Sequence, residues 1–152
     1  MSASVSGRRT AALVLAAGAL VGAAALPASA TGHQAPRPSV VLGKIQYDSP
    51  GRDTGSNRSL NGEWVEVTNK SRRAVNLDGW PLSDRDGNRY TFDLRLAGRS
   101  TVGVHTGDGR DTRTAVYQDN RSYIWENRGD TATLRNDRGR KVDSESWGRG
   151  SR

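Results

Sequence analysis

The sequence predicts an all-β protein, a two-sheet β-sandwich of seven to nine short strands. Three observations carry this. Apolar and polar residues alternate with the period of a strand at several places, as in Val65 and Val67 or Tyr90, Phe92 and Leu94. Turns rich in Gly, Asp and Asn separate these runs. Beyond residue 30, nowhere do apolar residues recur at helical spacing over two turns.

Residues 1–30 stand apart from that pattern and have the make-up of a targeting segment. Arg8 and Arg9 form a basic n-region, Ala11 to Leu26 an uncharged apolar run, and Pro27-Ala-Ser-Ala30 ends small-x-small. Cleavage after Ala30 is expected, giving a secreted chain that begins at Thr31. A membrane anchor is the competing explanation, but the run is Ala- and Gly-rich and shorter than the ~20 residues that span a bilayer. No later stretch is apolar enough to span one. The chain has no cysteine, which excludes a lipid-anchoring cysteine, disulfides, a thiolate nucleophile and Cys-ligated metal.

About 120 residues remain, room for a single domain and core. Residues 31–38 hold His33, Pro36 and Pro38 and nothing to bury, which predicts a flexible leader; 39–148 form the domain and 149–152 a tail. Val40, Val41, Leu42, Ile45 and Tyr47 make a first strand. The Gly/Ser/Asn/Arg-rich stretch from Asp48 to Leu60 is longer than a usual connection and reads as a mobile or functional loop. Val65 and Val67 lie on a strand, Asn69-Lys-Ser-Arg-Arg73 on a polar turn, and Val75, Leu77, Trp80 and Leu82 on its antiparallel neighbour. Gly79 suits a bulge or a close backbone approach, and Pro81, which cannot donate to a ladder, suggests a sheet edge. Asp86-Gly87 is a strong hairpin signal, and Tyr90, Phe92 and Leu94 return from it. Val102 and Val104 point one way from Thr101–His105, Thr106–Arg113 is a second polar loop, and Val116-Tyr117 and Tyr123-Ile-Trp125 resemble short strands. Thr131–Leu134 and Lys141–Ser146 close a last hairpin around Asn136-Asp-Arg-Gly139. The count and spacing of strands indicate the immunoglobulin-like type of sandwich. Val65, Val67, Trp80, Leu82, Phe92, Trp125 and Leu134 are the expected core, with Trp80 and Val67 buried together.

These pieces together resemble the lamin tail domain, an immunoglobulin-like fold of nuclear lamin tails found also in secreted bacterial proteins. The likeness rests on Glu63-Trp-Val-Glu-Val-Thr-Asn69, on Val75-Asn-Leu-Asp-Gly-Trp-Pro-Leu82 with Asp84 and Gly87, and on Tyr90-Thr-Phe92. It continues through Thr101-Val-Gly-Val-His-Thr-Gly107 and Trp125-Glu-Asn-Arg-Gly-Asp-Thr-Ala-Thr-Leu134 with Val142-Asp143. Five pieces in order, from Val40 to about Trp147, are fairly specific. The resemblance implies a non-catalytic binding or adhesion module; in bacteria such modules are often joined to nucleases or phosphatases, and no such domain accompanies this one. No coiled-coil rod precedes the domain, so filament assembly is not implied.

Each stretch with chemical potential has a plainer explanation beside it. His105, at a strand end, would need a nucleophile and an orienting acid to catalyse anything, and no Ser, Thr or Lys stands out. Asp84-Arg-Asp-Gly-Asn88 has alternating oxygen ligands, but Gly falls at the fourth place and Arg95 stands where a calcium loop needs Glu, so a hairpin turn suffices. Asp108, Asp111 and Asp130 would hold Ca²⁺ only if their loops gather, and Arg110 and Arg113 sit among them. Arg128-Gly-Asp130 is an adhesion tripeptide, although Gly129 and Asp130 are also turn residues. Trp64 with Glu63 and Glu66 would make a carbohydrate platform, because Trp64 falls on the face opposite Val65 and Val67, but an aromatic on a second buried face or at a sheet edge is the slightly favoured explanation and leaves a sugar ligand open.

The formal charge of +7 drops to +5 once Arg8 and Arg9 are removed. Most cations alternate with Asp, as in Asp84-Arg-Asp86, which reads as a solvated mixed-charge face. The strongest nucleic-acid or cell-wall-polymer case is Arg72, Arg73, Arg135, Arg138, Arg140 and Lys141, with Tyr117 or Tyr123 to stack bases. Asp137 and Asp143 stand against it. The reading is thus a secreted, monomeric, non-enzymatic binding module with a protein or extracellular-polymer partner and neither cofactor nor metal. Its rival is a polyanion binder acting through the Arg-rich hairpin.

Overall fold

The computed structural model describes residues 38–148; the expected targeting segment, leader residues 31–37 and the tail lie outside them. In order come β1 (Val40–Gln46), α1 (Asn57–Leu60), β2 (Trp64–Asn69), β3 (Val75–Asn76), β4 (Pro81–Ser83), β5 (Arg89–Thr91) and β6 (Arg95–Leu96). They are followed by β7 (Thr101–His105), β8 (Ala115–Tyr117), β9 (Gly129–Arg135) and β10 (Lys141–Gly148). Two four-stranded sheets, β1-β2-β7-β8 and β10-β9-β4-β5, form the sandwich, and β3 pairs with β6 as a separate ribbon.

Period-two burial builds this arrangement. Val65, Val67, Val102, Val104 and Val116 enter the core from the first sheet, and Leu82, Ala132 and Leu134 from the second. β-Branched side chains fit such a half-buried pleat. Leu96 from the β3–β6 ribbon and Leu77, Phe92, Ile124 and Trp125 from the connecting segments complete the core. β1 and β10, the outer strands of the two sheets, meet along one side. There the Leu42 N–H donates to Asp143 Oδ2 at 2.8 Å, and Tyr47 and Trp147 stack with ring centroids 5.0 Å apart.

Trp80 departs from expectation. It is half-buried, packing against the core from outside, whereas Leu77, three residues earlier, is fully buried. Gly79, at φ 74°, bends the chain between them, so the small aliphatic residue points in and the large ring lies at the rim. The other six expected core residues are buried.

The strand pairing also differs. β2 does not form a hairpin with the segment after it; it pairs with β1 and β7. The cause is Asn69, the last residue of β2, which is wholly buried. Its Nδ2 donates to Arg73 O at 2.8 Å, Ala97 O at 3.0 Å and Leu96 O at 3.3 Å, while Oδ1 accepts from Ser71 N–H and Oγ–H. This folds residues 69–73 into a turn that sends the chain across to the ribbon. The 75–83 segment then pairs with 89–96 as one bent hairpin. Val75 faces Leu96, the Leu77 N–H bonds Leu94 O, the Gly79 N–H bonds Phe92 O, and Pro81 faces Thr91. Pro81 is not at a sheet edge. β4 lies between β5 and β9, and proline is accommodated because it is the first residue of β4 and the β9 ladder begins at Leu82.

β8 runs parallel to β7, with Val104 facing Val116. Tyr123-Ile-Trp125, expected as a strand, has no ladder partner and is held by a side chain instead. The loop after β1 contains one turn of helix, α1, capped by Ser56 Oγ, which accepts the Ser59 N–H.

Candidate functional site

That side chain is Glu63. It precedes β2, is 1 % exposed, and accepts the Thr106 hydroxyl at 2.6 Å and the Ile124 N–H at 3.1 Å on Oε2, and the Trp125 N–H at 3.2 Å on Oε1. The carboxyl thus joins the start of β2, the end of β7 and the 123–125 segment. Burial raises its pKa from 4.5 to about 7, against the opposing pull of its three donors and with a small upward push from Asp53. Being internal, Glu63 is no part of a carbohydrate platform. Its sequence signal was a carboxylate just before an alternating strand, which charge counting reads as a surface residue.

The other acids singled out by sequence are likewise engaged with backbone. Asp84 Oδ1 accepts the Gly87 and Asn88 N–H groups, both at 2.7 Å, closing the β4–β5 turn. Asp130, 3 % exposed, accepts the Arg85 and Thr131 N–H on Oδ1 and the Glu126 N–H on Oδ2. Arg128-Gly-Asp130 therefore presents no accessible carboxylate to a receptor. Asp111 accepts the Tyr117 N–H. Asp108, Asp111 and Asp130 do not converge, and among the described residues no group of three His, Cys, Asp or Glu is placed to hold a metal ion. No helix among them is long and apolar enough to cross a membrane.

The cations are divided by the fold. Arg140 and Lys141 border an open groove of ≈ 610 Å³ together with Trp80, Val142, Asn136, Val40 at the start of β1, and Pro38 and Ser39 just before it. Asp143, expected to neutralise this cluster, is engaged with Leu42 and the Ser144 N–H. Arg135 bonds Gly139 O within its own hairpin. Arg72 and Arg73 sit in the turn after β2. The Lys70 N–H to Ser39 O bond, at 2.7 Å, ties that turn to the start of β1, but neither arginine lines the groove. Tyr117 and Tyr123 lie elsewhere; Tyr123 Oη contacts Ser59 Oγ at 2.6 Å, and Tyr117 stacks on His105 at 5.2 Å.

His105 stands on the outward face of the first sheet, in register with Trp64 on β2 and Tyr117 on β8. Its Nδ1 lies 3.0 Å from Asn61 O. Two residues before it, Gly103 leaves the middle of β7 without a side chain, and an open hollow of ≈ 330 Å³ results. Trp64, Glu66, Thr101, His105 and Thr114 surround that gap. The clue available in sequence was a glycine inside the otherwise alternating Thr101–His105 run.

The family model described as Lamin Tail Domain matches residues 33–149. No curated protein matches the chain.

Proposed function

Because the chain belongs to the lamin tail domain family, a family of immunoglobulin-like, non-enzymatic domains, we propose that it is an exported module that acts by binding through its surface. One observation carries this reading. Glu63, Asp84, Asp111 and Asp130 are committed to backbone N–H groups and a hydroxyl, whereas the concavities around Trp80 and around Gly103 open to solvent. Export is supported by the basic, apolar and small-residue succession of residues 1–30. Protein recovered from culture medium should begin at Thr31 and leave generic phosphoester and glycoside substrates intact. Retention of the uncleaved chain in cells, or hydrolysis abolished by His105→Ala, would overturn the proposal.

A second reading, binding of a phosphate-rich polymer, is favoured by the groove at Trp80. It offers two cations and an indole, and neither Arg140 nor Lys141 has a carboxylate partner among the described residues. Cations would follow phosphates while the ring stacks on a base or sugar. With two phosphates neutralised, affinity for a single-stranded oligothymidylate should fall about tenfold between 50 and 300 mM salt, on the order of the counterion-release slope for single strands. The double change Arg140→Glu with Lys141→Glu should remove that dependence together with the binding. Affinity flat with salt would exclude the groove as a polyanion site.

A further inference from the structure

Resting on the reading of the chain as a surface-acting module, we propose that the hollow over Gly103 seats a neutral pyranose unit of a glycan. The Asn61 carbonyl can only accept, so the His105 nitrogen facing it, Nδ1, is the donor, and Nε2 is the ring nitrogen left facing the hollow. This Nε2 lies over Gly103, 3.4 Å from where a Cβ would stand. Glu66 adds a carboxylate that takes one protein hydrogen bond, from the Lys44 N–H at 3.1 Å. Thr101 contributes a hydroxyl, shared with Thr68 at 2.8 Å, and Thr114 its backbone carbonyl, 3.8 Å from that same Cβ position. Trp64, half-buried and directly across the ladder from His105, supplies an apolar wall.

The lining therefore combines hydrogen-bond acceptors and a hydroxyl with an aromatic surface, and contains neither Lys nor Arg. Such a set suits a ligand that offers hydroxyl donors around an apolar ring, and it does not suit a polyanion. Gly103 itself points the same way. Glycine weakens a strand interior and marks a bulge or a close approach by something else. Neither ladder is irregular here: Gly103 faces Glu66 on one side and Ala115 on the other in continuous register. A side chain at this position would fill the floor of the hollow.

Calorimetric titration of the full chain with cellohexaose and with chitohexaose tests the assignment. Saturable binding of at least one is expected, weakened about tenfold or more, a loss of about 1.4 kcal/mol, by Trp64→Ala and by Gly103→Val. Thermal melts of both variants should confirm that they fold. The Arg140→Glu, Lys141→Glu variant should bind the sugar like the parent chain. Absence of saturable binding by a natively melting chain, or unchanged affinity in both hollow variants, would overturn the proposal. Displacement of the sugar by free lysine would do so too, since it would mark an ammonium site. A chain that binds oligothymidylate through Arg140 and Lys141 but neither oligosaccharide would remove the pyranose seat and leave the module reading standing.

Discussion

Replacing Phe92 with alanine should lower the free energy of unfolding by about 3–5 kcal/mol, whereas Trp80→Ala should cost about 1–2 kcal/mol. Size alone predicts the opposite order, since indole is the larger group. Position decides it. Phe92 is 1 % exposed at the bend between the sandwich and the β3–β6 ribbon, its ring edge-on to Tyr90 at 5.0 Å, and its backbone N–H and C=O bond Trp80 O and the Gly79 N–H. Truncating it leaves a cavity walled by residues held in two ladders, which collapse little. Trp80 already faces a groove, so its removal enlarges a solvent-filled space. Urea unfolding with an unchanged slope would report both values. Equal losses for the two variants, or the larger loss for Trp80→Ala, would show that the indole is the true keystone of that corner.

The second large effect is a loss of stability as pH rises. Glu63 has a pKa of about 7 in the folded chain against 4.5 when exposed. Below about pH 4.5 both states hold the proton and its stabilising contribution is complete. Between 4.5 and 7 the unfolded chain gives up the proton and the folded chain keeps it, so the folded state is progressively disfavoured. Above 7 the contribution is gone, a change of about 3 kcal/mol from this one group. The Tyr90 phenol, pushed by burial to about 12, titrates outside that window. Chemical unfolding measured from pH 4 to 8 should show the decline, and Glu63→Gln should flatten it. Stability that does not fall over this range, or falls equally in parent and variant, would mean that the three donors offset burial and leave the carboxylate's titration the same in both states.

The sandwich was legible because its strands obey a simple period. Val65, Val67, Val102, Val104, Leu82 and Leu134 alternate with polar neighbours, and Asp86-Gly87 marks a turn between β4 and β5. Pairing was less legible. Asn69 is a turn former by composition, but that its amide would gather three carbonyls from two different turns, and so direct the chain away from β2, depends on contacts 27 and 28 residues away. The 123–125 segment has strand-like residues yet donates its N–H groups to Glu63, a partner some sixty positions earlier that no local pattern marks. Candidate sites divided in the same way. Asp84 is explained by its own turn, and sequence weighs that explanation correctly. The grouping of Arg140 and Lys141 with Trp80, without Arg72 and Arg73, follows only from where the strand ends come to lie.

The seam between β1 and β10 has a mechanical side. Leu42 meets Asp143 and Tyr47 meets Trp147, so the two strands run in the same direction, one entering the domain at the Trp80 end and the other leaving at the opposite end. Tension applied between residues 38 and 148 therefore pulls each terminal strand lengthwise along its antiparallel neighbour, β1 along β2 and β10 along β9. Their rungs must give way together rather than peel one after another, a geometry that resists extension of the domain along its strands.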